Sequence, residues 1–164
     1  MNIIRGHRRP PKELVMPDGT QEVVDFGFVG DVDCVDGTML AGLIEQGAVP
    51  VVAPLSHDGK GSLLNTNADT IASEVACALS PFYNITLTYC FEKRGVLRDA
   101  DREESVIPVI NESDFQRLMA EGVVSGGMIP KLENAFQSLH KGVSRVIITR
   151  ADYSDGTGGT LITF

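Results

Sequence analysis

The sequence has no tryptophan, and its three cysteines, Cys34, Cys77 and Cys90, are odd in number and widely spaced. No CxxC pair occurs, which leaves zinc-ribbon and dithiol redox chemistry without ligands and fits a reducing compartment. Basic residues are in the minority, 14 against 22 acidic, for a formal net charge of −8. A surface evolved for nucleic acid or an anionic membrane needs the opposite balance, although a local cation cluster can still hold a phosphate ligand. Long apolar runs are missing too. The longest, residues 48–55, is far below the ~20 residues that a membrane-spanning helix requires. The opening MNIIRGHRRPPKE turns charged at once and offers no apolar signal core. These absences together predict a soluble cytoplasmic protein. Neither GxxxxGK[ST] nor GxGxxG is found, so the two best-known glycine-rich phosphate loops are excluded. What remains is ordinary globular material, 43% hydrophobic and 22% charged over 164 residues, enough for one domain with a real core.

The pattern divides at about residue 33. Residues 1–33 read as strand-rich and irregular, with strands at 3–9 and 22–29 around a loop carrying Pro10, Pro11, Pro17, Asp18 and Gly19. Residues 34–164 alternate strands with helices. Helices are predicted at 38–46, closed by Gly47, at 67–79, with Ile71, Val75 and Leu79 on one face, at 113–121, and at 130–140, with Leu132, Ala135, Phe136 and Leu139 inward. Ser113 and Gln116 suggest a capping box for the third. Buried strands are predicted at 49–53 (VPVVA) and 85–90, and later strands at 143–149 and 160–164. This alternation implies an α/β fold on a parallel-rich sheet covered on both faces. Such sheets bind ligands beyond the carboxyl ends of their strands. That directs attention to residues 54–69, 91–99 and 122–128.

Each of these three segments has a polar feature to explain. In LNTNADTIA, Asn65, Asn67 and Asp69 alternate just before a helix. One capping side chain suffices for one helix, so the surplus suggests ligand contacts. An amide can bind a carboxylate or carbonyl, and a carboxylate can hold a lysine in place. In SGGMIPK, Gly126 and Gly127 let backbone amides approach a ligand, and Pro130 suits a first helical turn. Lys131 opposes the helix dipole there, so it is either a solvated surface charge or a cation placed to neutralise a transferring phosphoryl group. The third segment, FEKRGVLRDAD, follows a strand and carries Lys93, Arg94 and Gly95, either as a polar turn or as contacts to nucleotide phosphate and ribose. Two further patterns carry no chemistry. DVDCVDG departs from a calcium loop at Val35 and at the glycine position. SHDGKG reads as a hairpin turn built on Asp58 and Gly59 rather than as a hydrolase triad.

In their order, GFVGDVDCVD, VPVVAPL, LNTNADTIA, GVL and GGMIPKLENA resemble the amino acid kinase family, and within it the branch that phosphorylates acylated glutamate. The resemblance runs from about Phe26 to about Val146, with an echo at Gly158, Gly159 and Thr160. It implies a three-layer αβα sandwich with a mainly parallel sheet. It also implies ATP-dependent phosphorylation, with Mg2+, of the γ-carboxylate of N-acetyl-L-glutamate in arginine biosynthesis. By motif, Asn65 would bind the acylated amino acid, Asp69 would organise catalytic lysines, and Lys131 would stabilise the transition state. Glu92, Lys93, Arg94, Gly95, Val96 and Leu97, with Val123, Val124, Ser125, Gly126 and Gly127, would contact nucleotide.

The departures are as informative as the matches. FEKRG stands where the family usually has Thr-Asp-Val-x-Gly, with the acid kept as Glu92, and the family's Asp-Gly-Arg stretch after Val146 is missing. Missing as well are the opening Lys-x-Gly-Gly strand, the His-Gly-Gly-Gly turn and a substrate-binding arginine. Residues 1–164 therefore resemble the C-terminal, ATP-binding part of such a kinase, with the N-terminal part of the fold absent. Little activity is expected from the chain alone, and exposed sheet edges predict a homo-oligomer or aggregation. N-succinyl-L-glutamate is an alternative substrate. A non-catalytic nucleotide-binding module and a ligand-free assembly protein are alternative functions.

Overall fold

The computed structural model describes residues 3–17, 19–153 and 158–164, so Asp18 of the predicted N-terminal loop lies outside the described residues. The chain forms two compact units, Met1–Glu74 and Val75–Phe164. Among the described residues there are ten strands and four α-helices, which bears out the α/β class.

The first unit is built on a four-stranded mixed sheet in the order β4-β1-β5-β6. β1 (Ile4–Arg8) lies antiparallel to β4 (Gly30–Val35) and parallel to β5 (Leu55–His57), which turns back through a hairpin into β6 (Leu63–Asn65). The hairpin expected from Asp58 and Gly59 is present. The Asp58 carboxylate accepts from the backbone N–H groups of Lys60 (2.7 Å) and Ser62 (3.0 Å). A separate ribbon pairs β2 (Lys12–Val15) with β3 (Gln21–Val24). The predicted strand at 22–29 therefore stops at Val24. A turn in which Asp25 accepts from the Gly27 N–H (2.9 Å) breaks it, and Gly27 takes φ 64° there. In α1 (Gly37–Glu45) the Asp36 side chain caps the start and Gly47, at φ 81°, closes the end.

The run at 49–53 corrects the sequence reading. It is not a buried strand: Val49 is 87% exposed and Val51 95% exposed. Its valines have strand propensity, but among the described residues no strand lies beside it to share ladder hydrogen bonds, and Pro50 has no N–H to give. The strand begins only at Leu55, after Pro54.

α2 (Ala68–Leu79) passes from the first unit into the second, whose sheet has the order β7-β9-β10-β8. β7 (Thr86–Phe91) is parallel to β9 (Arg145–Arg150). β10 (Thr160–Ile162) is antiparallel to β9 and parallel to β8 (Val109–Ile110). β7 is an edge strand that buries only alternate residues, Leu87 and Tyr89, while Cys90 on the other side is exposed; the expectation of a fully buried strand is corrected accordingly. α3 (Glu112–Ala120) and α4 (Met128–His140) carry the helical apolar stripes read from the sequence. Phe115, Leu118, Leu132, Ala135, Phe136 and Leu139 are all buried, and the Phe115 and Phe136 rings meet at 5.5 Å. The α3 cap is Asn111, not Ser113. Asn111 is extended, accepts from the Asp114 N–H (2.8 Å), and receives the Asp114 carboxylate on its own N–H, while Ser113 merely donates to the Asn111 side chain.

Candidate functional site

In the first unit, the polar run straddles the end of β6 and the start of α2. Leu64 and Thr66 point inward, Thr66 sharing a buried hydroxyl hydrogen bond of 2.9 Å with Ser56. Strand alternation then turns Asn65 and Asn67 outward together, as their spacing predicts. The two amides have different jobs. Asn67 caps α2, its Oδ1 accepting from the Thr70 N–H at 3.0 Å. Asn65 is fixed through its backbone, whose N–H donates to Phe28 O at 2.7 Å. Its exposed side chain makes no hydrogen bond among the described residues. Asp69 stands half-buried in the first turn of α2, where the helix dipole favours a carboxylate.

In the second unit, the segments after β7 and before α4 converge. A cavity of about 140 Å³ is lined by Phe91, Lys93, Gly95, Val96, Leu97 and Ala100 from the one segment and by Val123, Ser125 and Met128 from the other. Both walls follow from local geometry. Gly122 at φ 72° and Gly126 at φ 55° turn the chain out of α3 and into α4, and the Val123 and Val124 N–H groups both donate to Leu118 O. On the other wall, Gly95 lies where a Cβ would come within 2.8 Å of Thr160 Oγ1 and 2.9 Å of Val106. The Val96 N–H donates to Thr160 Oγ1 (2.8 Å), and Val96 O accepts from the Ile107 N–H (2.8 Å). Lys93 is tethered through its Nζ to Ala100 O at 3.3 Å. The Lys131 ammonium sits on the half-buried side of α4, 5.0 Å from the Tyr89 ring centre and 5.9 Å from that of Phe91.

Not every expected nucleotide residue faces this cavity. Val124 is 2% exposed and packs into the core. Glu92, Arg94, Gly126 and Gly127 lie outside the lining, and the Arg94 guanidinium instead covers the Tyr153 ring at 4.4 Å. Phe91, Ala100 and Met128, inside the flagged segments but without an assigned role, also line the cavity, and the sequence reading missed Tyr153 and Thr160 as supports. The Gly158-Gly159-Thr160 echo was the available signal for Thr160. Two larger hollows are different in kind. One of about 390 Å³ in the first unit is walled mainly by aliphatic side chains, including Ile4, Leu40, Leu43 and Val52. The other, about 530 Å³, lies between α3 and α4, where His140 and Glu112 pair at 2.6 Å.

Comparison with known proteins supplies an independent line. The model of the amino acid kinase family matches residues 3–150. The chain is 58% identical over 162 residues to an acetylglutamate kinase of Bacteroides fragilis, covering 99% of this chain but 58% of that relative's length. Among solved structures, the smu.665 protein of Streptococcus mutans UA159 superposes with a TM-score of 0.73 at 28% identity, over 98% of this chain and 56% of that one. N-acetylglutamate synthase of Neisseria gonorrhoeae, at 22% identity, shares the fold with a TM-score of 0.77, over 99% of this chain and 37% of that one.

Proposed function

This chain belongs to the amino acid kinase family, and we propose that it carries the nucleotide-binding part, and some of the acyl-amino-acid contacts, of an ATP-dependent kinase. The acceptor is the γ-carboxylate of N-acetyl-L-glutamate, phosphorylated in the course of arginine biosynthesis, and the setting is the cytoplasm. The observation that supports this best is a cavity lined from both expected nucleotide segments, by Lys93, Gly95, Val96 and Leu97 and by Val123 with Ser125. The similarity to an acetylglutamate kinase supports the choice of acceptor, and because the chain spans 58% of that relative's length, the complete activity is part of the proposal.

In this reading a γ-carboxylate oxygen attacks the terminal phosphorus of ATP in line, the bond to the ADP oxygen breaks, and an acyl phosphate and ADP result. The exposed Asn65 amide hydrogen-bonds the acylated amino acid. The Lys131 ammonium offsets charge on the phosphoryl group in flight, and the Asp69 carboxylate orients a lysine. The amides around Gly95 and Ser125 contact the nucleotide. Mg2+, arriving with ATP, would supply charge neutralisation for the phosphates. Among the described residues no three His, Cys, Asp or Glu side chains form a group that could hold a metal ion.

Two measurements test the proposal on the same preparation: calorimetry with MgATP, and trapping of acyl phosphate as a hydroxamate with N-acetyl-L-glutamate and N-succinyl-L-glutamate. Saturable MgATP binding with feeble turnover, raised by adding the remaining portion of the relatives' sequence, is expected. Absence of nucleotide binding overturns it. Binding without turnover under any supplementation instead establishes a non-catalytic nucleotide module.

A further inference from the structure

We propose that Thr160 and Tyr153, both outside the nucleotide segments, are positioning residues that hold the 94–97 loop in its ligand-receiving shape. Thr160 works from beneath and Tyr153 from above. The inference rests on the reading of that loop as a nucleotide contact.

Thr160 is fully buried on β10, and its hydroxyl accepts the Val96 N–H at 2.8 Å across 64 residues of sequence. Thr149, equally buried on the adjacent β9, donates its hydroxyl to Arg94 O at 3.4 Å. Two hydroxyls thus bond the backbone of consecutive parts of the loop from the sheet below, and Gly95 between them has no room for a side chain over Thr160. From above, the Arg94 side chain lies over the Tyr153 ring at 4.4 Å. The same ring receives Arg150 at 5.5 Å, and Arg150 is itself held by Asp152 (2.8 Å) and Glu103 (3.2 Å). Arg150 is thus paired internally, whereas the buried Arg94 Nε has no hydrogen-bond partner among the described residues and meets the ring alone. The ring contact on Arg94 and the two hydroxyl hydrogen bonds to the backbone on either side of Gly95 together fit a clamp on the loop.

A loop ordered before its ligand arrives spares that ligand the entropy of ordering it. Loosening the clamp should therefore weaken nucleotide binding without removing any group that touches nucleotide.

The test compares Thr160→Val with Thr160→Ser, and Tyr153→Leu with Tyr153→Phe, in the full chain. Amide hydrogen exchange at residues 94–97 and calorimetric binding of MgADP are the two readouts. Thr160→Val and Tyr153→Leu are expected to speed exchange at 94–97, leave the β9 amides of Ile147 and Ile148 protected, and weaken MgADP by about tenfold, the scale of one lost buried hydrogen bond. Thr160→Ser and Tyr153→Phe, which keep the hydroxyl and the ring, should restore both. Unchanged exchange at 94–97, or acceleration spread evenly over β7, β9 and β10, overturns the clamp. The Tyr153 pair, at a half-exposed site, keeps this decisive if Thr160→Val does not fold. Failure of the unaltered chain to bind MgADP, with exchange responding as described, rejects the nucleotide reading while the anchoring itself stands.

Discussion

The backbone of Val96 hangs from the hydroxyl of Thr160, 2.8 Å away, and Gly95 lies between that hydroxyl and the neighbouring Val106. Cβ contacts of 2.8 and 2.9 Å would force one wall to move, because both are shorter than a side chain tolerates. Gly95→Ala should therefore cost about 1–3 kcal/mol by overpacking. A thermal melt checks the size of the loss. MgADP titration checks whether the cavity lined by Gly95 and Leu97 has moved with it. Wild-type melting and binding together would show that the loop has slack at this position.

Lys131 gives a prediction that does not depend on turnover. Its ammonium stands over Tyr89 and Phe91, one turn into α4. If it addresses the terminal phosphoryl group, Lys131→Met should weaken the non-hydrolysable ATP analogue AMP-PNP by roughly tenfold, as for one charge-assisted hydrogen bond. MgADP, lacking that group, should change less than twofold. Equal weakening of both ligands would place the lysine at the inner phosphates instead. No change in either would make it a surface charge.

The helices were legible because a buried stripe repeats every three to four residues whatever else surrounds it. Leu132, Ala135, Phe136 and Leu139 are buried as their spacing predicts, and Gly47 ends α1 where its freedom of φ is needed. The run at 49–53 was misread because β-branched composition reports propensity, while burial depends on what lies alongside, and Val51 has nothing over it. The α3 cap was misassigned because Asn111 and Ser113 are both capable acceptors, and only the extended backbone at Asn111 selects between them. The candidate site was half visible. Motif spacing marks Gly95, Ser125 and Lys131, but no local pattern can reveal that Thr160 meets Val96 across 64 residues or that Arg94 turns away to cover Tyr153.

Acid should weaken the first unit through Asp31. Arg9 donates to its carboxylate from Nε (3.1 Å) and Nη2 (2.6 Å), and this hydrogen bonding holds the Asp31 pKa below the usual carboxylate value, with burial opposing in part. The unfolded chain therefore binds the proton more readily. The pair's contribution is complete above about pH 4, the unfolded value, and is lost as pH falls through the lower folded value. Both side chains are about two-fifths exposed, so solvent screening limits the contribution to ~1 kcal/mol or less. Asp31→Asn should lower the urea midpoint at pH 7, and the gap to the unaltered chain should close as pH falls below the lowered folded value. A gap that persists undiminished in acid would mean that the substitution acts through packing rather than charge.

Residues 49–53 lead to a prediction about association. Pro50 has no N–H to give, whereas Val49 and Val51 keep theirs. Neither Val49 nor Val51 has a backbone hydrogen bond among the described residues, and both side chains are almost fully exposed. An apolar edge of this kind recruits another strand, and in a pure preparation the available strand is a second copy. Light scattering should give a mass above the 17.6 kDa of one chain and rising with concentration. Val51→Lys places a charge on that edge and should return the mass to one chain, with α1 and the β5–β6 hairpin left intact by circular dichroism. A monomer at every concentration in the unaltered chain would refute the prediction. Association that survives Val51→Lys would move the contact away from this run.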